Sequence, residues 1–148
     1  MTTQAVPTVV VGVDGSADAA RALRWAQDEA RRRDAKLLLV HGVEVGAAAA
    51  SPYGSGVLME QLQEGGEAVL AEALAEVRAA GFEAEGRMEV GSAAHALIEA
   101  SRGADLLVVG CRGHGGFAGL LLGSVSAACA HHAHCPVVVV RPEERSAA

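Results

Sequence analysis

Aromatic residues are nearly missing from this chain: two Phe, one Tyr and one Trp make up 3% of its 148 residues. Since 51% of the residues are hydrophobic, the core must be built from Val, Leu and Ala, whose small volumes suit helices laid closely on a sheet. Lysine is scarcer still, with Lys36 alone. A Walker phosphate loop needs Gly-Lys-Ser/Thr, the lysine to neutralise outer phosphates and the hydroxyl to hold magnesium, so that class is excluded. The three cysteines, Cys111, Cys129 and Cys135, cannot all pair within one chain, and a reducing compartment leaves them as thiols. No apolar run approaches the ~20 residues that span a bilayer. The first seven residues show no basic stretch leading into an apolar one, so a cytoplasmic location is expected. Basic charge is in deficit, 12 residues against 18 acidic ones for a net charge of -6, which leaves no general footprint for nucleic acid. An anionic ligand must be gripped locally.

What the chain does contain is a regular alternation. Val/Leu-rich strand signals fall at 8–13, 36–43, 105–110 and 136–141, continuous enough for strands buried on both faces of a parallel sheet. A further strand at 82–90 alternates Phe82, Ala84, Gly86 and Met88 with charged neighbours, as an edge strand does. Between them, Ser16 can cap a helix to Arg33, Leu58 to Val77 line a longer helix weakened by Gly65-Gly66 and closed by Gly81, and Ser92 caps a helix to Ser101. The series predicts one α/β domain over residues 1–148, a doubly wound, mainly parallel five-stranded sheet with helices on both faces, with 1–6 and 143–148 as flexible tails. Residues 44–56, with four alanines and then Ser51-Pro52-Tyr53-Gly54, read equally as a lid or as a disordered connector.

Glycine is abundant in one place. The run Gly110-Cys111-Arg112-Gly113-His114-Gly115-Gly116-Phe117-Ala118-Gly119-Leu120-Leu121-Leu122-Gly123-Ser124 holds six glycines in fifteen residues, directly after a strand. Glycine costs conformational entropy, and a usual reason to accept that cost is backbone amides that approach a ligand without obstruction. Ser124 is the expected N-cap of a helix to His132, whose dipole and free amides favour an anion. A flexible surface loop is the alternative. A dinucleotide fingerprint can be forced from Gly113 to Ala118, but it follows the wrong strand and has no acidic residue at the distance that holds a ribose.

The spacing Gly110-x-x-Gly113, nine residues, then Gly123-Ser124 resembles, without a gap, the motif of the ATP-binding branch of the universal stress protein family. The likeness extends to Val9–Ser16, Leu37–Val43 and His134–Val140. It implies a Rossmann-like sheet of strand order 3-2-1-4-5, with ATP as ligand and magnesium or manganese on its phosphates. It also implies a regulatory, stress-response role in which binding, not turnover, is primary, and a homodimer through Val137, Val138, Val139 and Val140, where an unpaired apolar edge invites a partner. Position by position, Asp14 matches the nucleotide-contacting Asp, with Gly12 beside it leaving room for adenosine. Gly42 and Val43 match the adenine-facing edge, and Val109 and Gly110 the floor under the ribose. Arg112, Gly113, His114, Gly115 and Gly116 match the first half of the phosphate loop; Gly123, Ser124 and Val125 match the second. Cys111 stands where the family more often has a hydroxyl. A slow ATPase, or an interaction module that binds no nucleotide, are the competing functions.

Other tempting groups are discounted. His131, His132, His134 and Cys135 span a helix end and a strand start, so they read as a cationic helix terminus and not a zinc site. Arg31-Arg32-Arg33 reads the same way, and Trp25 as partial core. No nucleophile, base and orienter are spaced as a catalytic set, and Gly-x-Ser-x-Gly does not occur.

Overall fold

The computed structural model describes residues 6–44, 55–111 and 122–142. The expected tails, apart from Val6, and most of the 44–56 connector lie outside those residues. In chain order the described elements are β1 (Thr8–Gly12), α1 (Ala17–Arg33), β2 (Lys36–Val43), α2 (Ser55–Ala79), β3 (Ala84–Val90), α3 (Ala93–Ala100), β4 (Leu106–Gly110), α4 (Ser124–His132) and β5 (Val137–Val140). The strands form one sheet, all pairs parallel, in the order β3-β2-β1-β4-β5.

Strand periodicity divides the core into two layers. Val9, Val11, Val13, Leu37, Leu39 and Val108 point to the face covered by α1 and α2. Val10, Val40, Leu107 and Val109 point to the opposite face, against Ala96, Leu97 and Ala100 of α3 and Cys129 of α4. Because both faces of β1 and β4 are covered, their valines and leucines are almost fully buried, which is why the sequence shows unbroken apolar runs there. β5 differs from the expectation of burial on both faces. It is an edge strand, and each of its four valines is only half-buried. β3 is the other edge and carries Glu85, Arg87 and Glu89 as its alternating polar set.

Capping follows the sequence at two of three places. The Ser16 hydroxyl accepts from the Ala19 amide at 3.1 Å and the Ser92 hydroxyl from the His95 amide at 3.2 Å. Ser124 is the exception. The N-cap of α4 is Gly123, which makes no side-chain cap bond, and Ser124 is the first helical residue. Extended backbone at Gly123 (φ -73°, ψ 171°) starts the helix one residue before the serine. Nor do Gly65-Gly66 interrupt α2, which runs from Ser55 to Ala79. The arginines at the end of α1 are drawn back along the helix: Glu29 accepts from Arg33 at 2.8 Å and Arg32 at 3.3 Å, and the Arg33 hydrogen bond leads the lowering of its pKa.

Close helix-on-sheet approach is what several glycines permit. A Cβ on Gly42 would lie 2.5 Å from the Cα of Ala93, at the start of α3, and one on Gly110 would lie 2.9 Å from the Asp18 carbonyl in the first turn of α1. Backbone cannot yield as a side chain can. Gly42→Ala should therefore destabilise the fold by about 1–3 kcal/mol, seen as a lower urea midpoint at unchanged slope. Gly65→Ala, where a Cβ meets nothing within 4 Å, should instead stabilise by about 0.5–1 kcal/mol.

Candidate functional site

In this strand order the winding reverses between β1 and β4, which pair with Val11 opposite Val108. The turns leaving Gly12 and Gly110 therefore rise side by side at the carboxyl ends of the sheet, the place where ligands bind in open α/β folds. The structure thus brings the ends of both strands to one crevice. Asp14 lies two residues past β1, Gly42 and Val43 close β2, Val109 and Gly110 close β4, and Gly123, Ser124 and Val125 open α4. Arg112, Gly113, His114, Gly115 and Gly116 lie outside the described residues.

The Asp14 turn is held from several sides. Val13 continues the ladder by donating to the Val40 carbonyl at 3.0 Å. One carboxylate oxygen of Asp14 accepts from the Ser16 amide at 2.8 Å, closing an Asx turn in which Gly15 takes φ +81°. That bond aims the carboxylate and places Ser16 to cap α1. Asp14 is partly buried, so a ligand can still reach it.

Both stems of the glycine loop are tied together. The Cys111 amide donates to the Val140 carbonyl at 3.0 Å, extending the β4–β5 pairing by one residue, and the Gly123 amide donates to the Cys111 carbonyl at 2.8 Å. Ser126, only 2% exposed, sets its hydroxyl 2.8 Å from the Cys111 carbonyl and 3.1 Å from that of Gly123. Cys111 and Gly123 are thus joined in a single hydrogen-bonded clamp. Among the described residues no side chain caps α4, whose first amides after Gly123 belong to Ser124 and Val125. The Val125 side chain packs into the core, so its share in any site is its backbone.

Two of the glycines have structural reasons that sequence reading assigned to a ligand. At Gly42 the neighbour is α3, and at Gly12 the space beyond the Cα belongs to Leu97, whose Cδ1 would be 3.2 Å from a Cβ. Ser126 was missed altogether, although a serine two places after Ser124 on an apolar helix was a visible signal. The cysteines are quiet: Cys111 and Cys129 are buried, and desolvation pushes the Cys129 thiol up to about 11. Burial, and then the nearby Asp105 charge, raise the half-exposed Cys135 as well. Among the described residues no group of three or more His, Cys, Asp or Glu is placed to hold a metal ion, and no helix is long and apolar enough to cross a membrane.

A family model described as the universal stress protein family matches residues 6–141. Universal stress protein Rv2623 of Mycobacterium tuberculosis is 39% identical over 143 residues, covering 92% of this chain and 48% of its own length. The chain thus spans about half the length of the curated relatives it matches. A universal stress protein solved in complex with cAMP is 36% identical with a TM-score of 0.69, the match covering 93% of this chain and 98% of that one. A universal stress protein family protein from Arabidopsis thaliana with AMP bound is 25% identical at a TM-score of 0.69, over 93% and 92% of the two chains.

Ser126→Ala should lower stability by about 1 kcal/mol, because it removes the one hydroxyl hydrogen near the Cys111 and Gly123 carbonyls, each of which keeps a backbone amide donor, measured by urea unfolding. With a thiol reagent at mildly alkaline pH, Cys135 should label in the folded protein while Cys129 labels only after unfolding, followed by mass analysis of tryptic peptides.

Proposed function

Because this chain belongs to the universal stress protein family, we propose that it binds an adenine nucleotide, ATP foremost, in the crevice between β1 and β4 and acts as a regulatory, stress-response factor in the cytoplasm. The observation that carries this reading is the pairing of an aimed carboxylate, Asp14, with a clamped glycine loop that ends at an uncapped helix N-terminus on the adjacent strand. A ribose hydroxyl is the natural donor to Asp14, and phosphate oxygens the natural acceptors for the amides of Gly123, Ser124 and Val125. Val43 and the backbone at Gly42 supply the apolar edge for adenine, and Val109 and Gly110 the floor below the ribose. Arg112, Gly113, His114, Gly115 and Gly116 complete the phosphate loop in this reading. Relatives crystallised with cAMP and AMP support an adenine ligand.

Magnesium or manganese enters the reading on the phosphates, since such ions are commonly held by substrate oxygens with only one or two carboxylates from protein. Binding, not turnover, is the primary property. The reading includes a homodimer formed along β5, which among the described residues is an edge strand with half-covered valines, Val137 to Val140.

Mass analysis of ligand released on denaturing freshly purified protein should find an adenine nucleotide. In equilibrium titration Asp14→Ala should weaken ATP affinity by about ten- to a hundredfold, the loss of one or two hydrogen bonds to a charged acceptor. It should cost the fold about 1 kcal/mol through the lost Asx turn. Gly123→Val should weaken binding more than stability, because a branched side chain screens the amides while φ -73° is open to valine. Unchanged affinity in both variants rejects the crevice as the site.

A further inference from the structure

His41 is the one titratable side chain in the apolar strand β2 after Lys36, and it is half-buried at that strand's carboxyl end. Its Nδ1 lies 2.7 Å from the carbonyl oxygen of Val13. A carbonyl only accepts, so Nδ1 must carry the hydrogen and donate it. Val13 is the first residue beyond β1, where its amide still follows the ladder to Val40. At its carbonyl a side chain takes the acceptor instead. That carbonyl belongs to the peptide leading into Asp14, and the Asp14 carboxylate is itself aimed by the Ser16 amide at 2.8 Å. The imidazole and the Asx turn thus hold the aspartate from both ends.

The opposite edge of the ring is seated by design of the helix above it. In α2 a Cβ on Gly66 would lie 2.9 Å from His41 Cδ2, 3.0 Å from Nε2 and 2.8 Å from Val43 Cγ2. A helix-interior glycine is a sacrifice in stability, and here it clears the space that the ring and Val43 fill. Val43, one pleat above His41 on the same strand face, is the residue assigned to the adenine edge.

We propose that His41 is a positioning residue of the nucleotide site: its Nδ1–H fixes the Val13 carbonyl, and through it the placement of the Asp14 carboxylate, while its ring, seated under Gly66, supports Val43. The proposal rests on the nucleotide reading given above. It gives His41 no contact with the ligand.

The test compares ATP binding by calorimetry in wild type, His41→Asn and His41→Leu, with thermal unfolding of each. The Asn side-chain amide puts an N–H close to where Nδ1 sits, so His41→Asn should bind within about threefold of wild type. His41→Leu, which leaves the carbonyl without its donor, should bind about tenfold more weakly. Equal loss in both variants, or no loss in the leucine variant, overturns the proposal. Nitrogen NMR of histidine-labelled wild type, which needs no variant to fold, should find Nδ1 protonated in the neutral ring; an Nε2–H tautomer overturns it as well. Absence of ATP binding by folded wild type that nonetheless shows the Nδ1–H tautomer rejects the nucleotide reading and with it the positioning role, whereas wild-type binding with an unaffected leucine variant rejects the role of His41 alone.

Discussion

Helix backbone touches strand backbone at the carboxyl end of this sheet, and everything at the candidate site depends on that contact. α3 begins so close to Gly42, and the first turn of α1 so close to Gly110, that no β-carbon fits at either residue. The chain can come this near because its core is built from Val, Leu and Ala. Bulky aromatics would hold the helices farther off. The close approach brings the Asp14 turn and the start of α1 down onto the crevice between β1 and β4, where the winding reverses.

Rigid stems around a glycine-rich loop make a coherent physical arrangement. The Cys111 carbonyl, the Gly123 amide and the Ser126 hydroxyl hold the two stems at hydrogen-bonding distance, so the ordering cost of the loop ends is met in the fold and not at the moment of binding. On the other side of the crevice, Asp14 is aimed by Ser16, and the peptide before it is held by His41. Among the described residues, the carboxylate of Asp14 and the backbone at Cys111 and Gly123 are thus held by their neighbours. Solved members of the same family include complexes with cAMP and AMP.

Much of this was legible from residue order. Continuous apolar runs marked the inner strands because both faces of a parallel sheet are covered, and the charged alternation at Glu85, Arg87 and Glu89 marked an edge. For β5 the edge position implied by the family resemblance holds, while burial on both faces, read from its four valines in a row, does not, since such a run looks the same at an edge as in the middle. Ser16 and Ser92 cap as expected although each follows a glycine, because Gly15 and Gly91 take positive φ (81° and 132°), whereas at Gly123-Ser124 the glycine is itself extended, takes the cap, and the serine enters the helix. Ser126 and His41 were overlooked for a common reason. Each acts on a carbonyl distant in sequence, Cys111 at 15 residues and Val13 at 28.

By itself, then, the sequence determined the alternation of strands and helices, the membership of the family and the spacing of the glycine motif, all of which are written in local composition and short-range order. Only the tertiary structure decided which glycines make room for a neighbouring helix, which serine ties Cys111 to Gly123, and what holds Asp14 in place. Those are questions of which atoms meet across the sheet. Distances of that kind arise from packing between segments far apart in the chain, and no window of residues contains them.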